Sequence, residues 1–212
     1  MVAYTGAAGK YDPQAPMSGN EDNFYVDDNL SDNIPSHCSA DDIIDMNECG
    51  CIMAVCDGMG GMNAGEVASE IAVNSIKSAY TAVKDFSKIV DCSNHIEAFM
   101  KKIIIEADTA IKKRVKEDPS TEGMGTTIVM AWVVEDVVHI AWCGDSRAYL
   151  FNRQSGISRL SNDHSYVQEL VDTGKLDPEL AFDHPNSNII TRSLGDSPVK
   201  AQPDYVCKRL SV

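Results

Sequence analysis

The sequence has 212 residues, 43% of them hydrophobic and 24% charged, with a net charge of −14 at pH 7. That length allows a sizeable core. No apolar run approaches the roughly 20 residues of a membrane span, and the opening MVAYTGAAGKYDPQ lacks the basic and apolar regions of a signal peptide. The negative charge is concentrated: residues 1–70 carry thirteen Asp or Glu against one basic residue, Lys10, a surface that repels nucleic-acid phosphates and anionic membranes.

In chain order, NEDNFYVDD reads as a short strand with acidic edges. Residues 27–50 are polar, acidic and without period, and read as a solvated loop or loose hairpin. CIMAVC is apolar and rich in β-compatible residues, a buried strand. In AGEVASEIAVNSIKSAYTAV, residues Val67, Ile71, Ile76, Tyr80 and Val83 fall on one helical face. A second helix is predicted from about Asn94, with Asn94 and Glu97 spaced as a capping box and a stripe of Ile96, Phe99, Met100, Ile103, Ile104, Ile111 and Val115. GTTIVMAWVV and VVHIAW are two strong strands turned at Glu135-Asp136, and RAYLF follows as a third. SYVQELVDTGK is a short helix that Gly174 ends. This order predicts an α+β fold with helices on antiparallel sheet, not a βαβ repeat, and no linker divides residues 1–212 into two domains.

Seven cysteines, an odd number without framework spacing, suit a reducing, cytoplasmic interior. Cys49-Gly50-Cys51 is too tight for a metal-binding CxxC pair and reads as strand thiols.

The carboxylates are the candidates for chemistry. Asp57 ends a buried strand, and Gly58 leaves its carbonyl unshielded, so one turn offers two oxygen ligands to a hard cation. Gly60 and Gly61 permit close backbone approach, and the helix starting near Ala64 presents free N–H groups. NED supplies Glu21 and Asp22, and CGDSRAYLF supplies Asp145, each at another strand edge. Any one Asp-Gly is an ordinary turn. Three such points on separate strands suggest a divalent-metal site, which would also offset the acidic repulsion.

NEDNF, VCDGMGGMNAGEVAS, GMGTTIVMAWV, HIAWCGDSRAYLF, LSNDHSYVQELVDTGKL and HPNSNIITRSLGD resemble, in order and spacing, the protein phosphatase 2C family of metal-dependent protein phosphatases, in its compact bacterial form. The resemblance covers residues from about 20 to 200. It implies a four-layer α-β-β-α sandwich of two antiparallel sheets flanked by helices. It also implies a centre of two Mg²⁺ or Mn²⁺ ions, with a weaker third, whose bound water hydrolyses phosphoserine or phosphothreonine in proteins. By this resemblance Asp57 bridges both metals, Gly58 gives a carbonyl, Glu21 and Asp22 hold metal-bound waters, and Asp145 serves the third metal. Asp57, Asp22 and Glu21 are then the catalytic residues. The implied partners are phosphorylated proteins, among them kinase substrates or the kinase itself, and neither nucleic acid nor membrane. A phosphatase-like binding module without activity is the alternative.

Two departures stand out. The family's phosphate-holding arginine falls here at Met17, with Lys10 the nearest cation and Arg114 the first arginine. The chain is also expected to be C-terminally incomplete, because YVCKRLSV precedes the family's later SDG and Asp-Asn motifs and its final strands. Residues 152–196 resemble the family's flap, a mobile excursion beside the active site. In it SNDHS is expected to cap a helix through Asp163 or Asn162, which makes His164 structural. Salt bridges are the default for Arg147 and Arg192. Asp163 or Asp196 could stand in for a missing ligand.

Overall fold

The computed structural model describes residues 20–27, 49–60, 64–195, 198 and 200–210. Lys10, Met17, the acidic residues 28–48, Gly61 and Asp196 lie outside these.

The chain is α+β, with two antiparallel sheets and helices. The larger sheet runs in the order β1 (Asp22–Asp27), β2 (Cys51–Met59), β4 (Ile128–Val134), β5 (Val137–Cys143), β8 (Asp204–Arg209), and short β3 (Gly125–Thr126) extends it beside β2. All of its pairings are antiparallel. The β4–β5 hairpin closes at Val134↔Val137, with Glu135 at a left-handed φ of 51°, so the predicted two-residue turn is present.

Strand alternation divides the sheet into two faces. Ile52, Ala54 and Cys56 of β2, with Ile128, Met130 and Trp132 of β4, are buried in the core that α1 (Ala64–Thr81) and α3 (Ser93–Glu117) share. An aromatic cluster fills its far end, where the rings of Tyr80 and Phe99 each pack on Trp132. Cys51, Val129, Val133, Ile140 and Trp142 form a second cluster on the opposite face, with Met53 and Val55 partly covered. Asp57 shares the parity of Met53 and Val55, and so belongs to this helix-free face.

The predicted stripe of α3 is the observed one: Ile96, Met100, Ile103, Ile104 and Ile111 are buried, and Phe99 and Val115 pack at its margin. For α1 the buried line keeps Ile76 and Tyr80 of the predicted one and differs in its first half. It is Ala64, Ala68, Ala72, Ile76 and Tyr80, with Val67, Ile71 and Val83 only flanking it. The reason is proximity: the start of α1 lies so close to β2 that only small side chains fit between them.

Three other local expectations are corrected. The Asn94–Glu97 capping box is not formed. Cys92 is the N-cap of α3, without a side-chain cap, and Glu97 pairs with Lys101 at 2.7 Å. The short helix α2 (Ser87–Val90) precedes it. RAYLF contributes a strand, as predicted, but one that does not pair with β5. Residues Tyr149–Asn152 form β6, which folds forward onto β7 (Gly156–Arg159) as a separate ribbon. Asn152 Oδ1 accepts from the N–H groups of Gln154 and Ser155, and Gly156 takes φ 78°, so a local turn outcompetes the edge of β5. That edge is occupied by β8 instead. Finally, α4 (Tyr166–Asp172) is capped by Ser165, whose Oγ accepts from Gln168 N–H at 3.2 Å, and not by Asn162 or Asp163. Gly174, at φ 69°, ends it as predicted.

Candidate metal centre

Asp22 and Asp57 are direct partners across the β1–β2 ladder. The adjacent pair carries the ladder bond, Gly58 N–H to the Glu21 carbonyl at 3.1 Å. Asp22 and Asp57 therefore take the alternate, non-hydrogen-bonded position, where opposing side chains stand closest. Like charges directly opposite destabilise a sheet unless something compensates them.

On the other side of β2 the backbone of Gly58 meets that of Gly65 in α1. A Cβ on Gly58 would lie 2.2 Å from Gly65 O, and one on Gly65 would lie 2.7 Å from Glu21 Oε2. Two glycines thus bring the end of β2, the start of α1 and the Glu21 carboxylate into one corner. Gly60, at φ 151°, carries the chain out of the strand.

The electrostatics identify the centre of the cluster. Asp57 is exposed at the strand end, yet loss of water on its protein side, together with the charges of Asp22, Asp145 and Glu21 and a hydrogen bond with Asp22, pushes its carboxyl up to about 6. Burial likewise raises the Asp145 carboxyl, and Asp163 adds to this, while its own backbone N–H and Arg147 act against it. Glu21, Asp22 and Asp145, from two other segments, therefore act on Asp57, and every contribution to its shift is a raising one. An all-oxygen donor set with excess negative charge is what a hard divalent cation requires, so these residues fit Mg²⁺ or Mn²⁺.

A polar network holds the two halves of the cluster together. Thr127 Oγ1 accepts from Asp57 N–H at 3.2 Å and sits 2.6 Å from Ser146 Oγ. Thr126 Oγ1 donates to the Asp57 carbonyl at 2.9 Å. The Gly144–Asp145 turn is fixed from behind by buried His164, whose Nδ1 accepts from Gly144 N–H at 3.1 Å. His164 Nε2 lies 3.1 Å from Asp204 of β8, and its ring stacks on Trp142. Arg192 is 3.5 Å from Asp204.

The structure thus sets Glu21, Asp22, Asp57 and Gly58 side by side at the ends of β1 and β2, with Asp145 near enough for its charge to act on Asp57, while His164 holds the Gly144 turn. Asp163 neither caps a helix nor joins the cluster as a free ligand, because Arg147 Nε donates to both its oxygens, at 2.9 and 3.1 Å. The threonine pair and Ser146 were not singled out by the sequence reading. Their only signal was the TT beside the strand start, which looks like ordinary β propensity.

A profile of the protein phosphatase 2C family matches residues 21–209. The chain belongs to the protein phosphatase 2C family. It is 40% identical over 144 residues to the serine/threonine phosphatase stp of Listeria welshimeri, a match covering 68% of this chain and 55% of that one. It is 34% identical over 154 residues to protein phosphatase PhpP of Streptococcus pneumoniae, covering 73% and 59%. The chain therefore spans little more than half the length of these family members. The crystal structure of serine/threonine phosphatase Stp1 from Staphylococcus aureus has the same fold, with a TM-score of 0.73 and 34% identity over 91% of this chain and 66% of that one.

Proposed function

We propose that this chain carries the catalytic face of a metal-dependent protein serine/threonine phosphatase. In this reading Asp57, the Gly58 carbonyl, Glu21 and Asp22 hold two Mg²⁺ or Mn²⁺ ions, and Asp145 serves a weaker third. The observation that carries it is that Asp22, Asp145 and Glu21 all act on Asp57, whose carboxyl is pushed up to about 6 by burial first and by these neighbours second. Cations bound there supply Lewis acidity that makes water a nucleophile near neutral pH and offsets charge on phosphoryl oxygens.

The protein's own part is positioning. Asp57 and Asp22 are fixed opposite each other by the ladder. Asp57 is further held through its N–H and carbonyl by Thr127 and Thr126. Cys56, next to Asp57 in the strand, is wholly buried, and burial drives its thiol far above the ordinary range, so it is no nucleophile. In this reading water attacks the phosphorus directly and no phosphoenzyme forms.

The substrates in this reading are phosphoserine and phosphothreonine proteins, including kinase substrates or the kinase itself. The cytoplasm suits the seven cysteines, and among the described residues no helix is long and apolar enough to cross a membrane. We read residues 1–212 as one catalytic domain and 152–196 as its flap, which exposes Leu180 and Phe182 to an incoming protein.

The test is turnover of p-nitrophenyl phosphate and of a phosphothreonine peptide, with and without Mn²⁺, by the wild-type chain and by Asp57→Asn. Hydrolysis that needs Mn²⁺ and disappears in the variant is expected. Mn²⁺-independent hydrolysis, or normal turnover by the variant, overturns the reading.

A further inference from the structure

At the α2–α3 junction, apart from the carboxylate cluster, three different metal-ligating side chains converge. Asp91, Cys92 and His95 each offer one ligand atom, these atoms lie within 4.8 Å of one another, and all three residues are exposed. His95 Nδ1 is 2.7 Å from Asp91 Oδ1.

The backbone accounts for the convergence. Cys92 is the N-cap of α3, extended at φ −154° and ψ 152°, and its carbonyl accepts from His95 N–H at 3.1 Å. His95 therefore occupies the third position of the helix. N-cap and third position are the two sites whose side chains reach toward one another in a capping box. Here they hold a thiol and an imidazole, and Cys92 makes no side-chain cap. Asp91, the last residue of the preceding turn, adds a carboxylate from the other side.

We propose that Asp91, Cys92 and His95 form a binding site for Zn²⁺-class cations, chemically distinct from the oxygen-only cluster at Asp57. Sulfur, imidazole nitrogen and one carboxylate oxygen are the donors that borderline-soft ions select and that Mg²⁺ does not. A tetrahedral ion with ligands about 2.0–2.3 Å away spaces its donor atoms by roughly 3.3–3.7 Å. The 2.7 Å hydrogen bond is shorter than that spacing, and no separation among the three donor atoms exceeds 4.8 Å. All three side chains are exposed, so the adjustment that the site requires is one of side-chain rotation. Three protein ligands leave the fourth position to water. The site does not depend on the phosphatase reading.

The test is Co²⁺ titration of the 212-residue chain under a phosphine reductant, with Mg²⁺ in large excess to occupy the oxygen cluster. One equivalent of Co²⁺ should give a thiolate-to-cobalt charge-transfer band and visible ligand-field bands, and Zn²⁺ should abolish both. Cys92→Ser should remove the charge-transfer band. His95→Ala should weaken binding by at least the about 10–100-fold that loss of a mere supporting partner costs. Cys207→Ser, at the other exposed thiol described, and Asp57→Asn should leave the bands unchanged. Absence of the charge-transfer band in the wild type, or its survival in Cys92→Ser, overturns the proposal. A chain that shows the bands yet hydrolyses no phosphoester upholds this site and refutes the phosphatase reading alone.

Discussion

Gly58 of β2 lies against Gly65 of α1 backbone to backbone, and a Cβ at Gly58 would stand 2.2 Å from Gly65 O and 2.6 Å from Glu21 O. Both obstacles are main-chain atoms, so neither can rotate away as a side chain would. The contact also fixes Glu21, whose carbonyl accepts from Gly58 N–H and whose carboxylate lies over Gly65. Packing and site are therefore one feature at this corner.

Gly58→Ala should accordingly destabilise the chain by about 1–3 kcal/mol or more, the usual cost of overpacking, and should weaken Mn²⁺ binding by displacing Glu21. Thermal melting and Mn²⁺ calorimetry measure the two effects. An unchanged melting temperature would contradict the close contact.

The Asp57 carboxyl, raised to about 6, has a stability consequence with a definite sign. Its folded value exceeds the ordinary carboxylate value of about 3.9. Its contribution to stability is thus fully present below about pH 4 and lost as the pH rises through about 6. With chelator present, Asp57→Asn should therefore melt higher than wild type at pH 7.5, and the difference should vanish near pH 4. The gain is on the order of 1 kcal/mol, because the exposed side chain is screened by solvent. Saturating Mn²⁺ should reverse the ranking at pH 7.5, since ligand binding stabilises only the chain that retains the carboxylate. Melts at the two pH values with and without metal decide this.

The same substitution tests the chemistry. A neutral amide cannot balance the cations, and their charge stabilisation is worth several kcal/mol. Mn²⁺-dependent turnover by Asp57→Asn should therefore fall by about 10³-fold or more. Steady-state kinetics at saturating Mn²⁺ provides the measurement.

Buried Asp108 of α3 carries a purely structural prediction. It accepts from Lys112 Nζ at 2.8 Å, Gly195 N–H at 3.0 Å and Ala201 N–H at 3.1 Å. It thereby clamps the chain leading into β8 onto the helix. Asp108→Ala removes the shared acceptor of one cation and two buried amides, and should cost about 3–5 kcal/mol. Denaturant unfolding would show it, and a loss below about 1 kcal/mol would mean that the clamp is not formed in solution.

Asp108 also shows what the sequence concealed. The predicted α3 stripe passes over it, because a charge among Ile104, Ala107 and Ile111 has no meaning until residues 195 and 201 return to meet it, about ninety positions later. The same limit applies to α1. Periodicity favoured Val67 and Ile71 because they are large, whereas the observed line of Ala68 and Ala72 is set by how near β2 lies, a tertiary quantity. The strand in RAYLF is legible, but not its partner: the local turn at Asn152 and Gly156 pairs β6 with β7 and not with β5. The carboxylates were readable because their chemistry repeats at strand ends in ordered motifs. Thr126, Thr127 and Ser146 were not, because a hydroxyl that supports a ligand looks like any strand or turn residue.

His164 supplies the last prediction. Its Nδ1 accepts from Gly144 N–H, so the ring proton is on Nε2 and faces Asp204 Oδ2 at 3.1 Å. Protonation would place a proton where Gly144 already donates. Burial lowers the imidazole below its ordinary value, against the partial opposition of Asp204. A folded value below the unfolded one means that this contribution is present above about pH 6.5 and lost as the pH falls through the folded value. His164→Asn keeps an acceptor near the Nδ1 position and cannot titrate, whereas His164→Ala leaves Gly144 N–H without its partner and opens a cavity beside Trp142. His164→Ala should therefore lose about 2–4 kcal/mol at pH 7.5, and His164→Asn clearly less. Both variants should lose less stability than wild type between pH 7 and pH 5. If His164→Asn proves as unstable as His164→Ala, the Gly144 hydrogen bond is not what the imidazole contributes. If the acid slope is unchanged in both, the proton does not reside where this geometry places it.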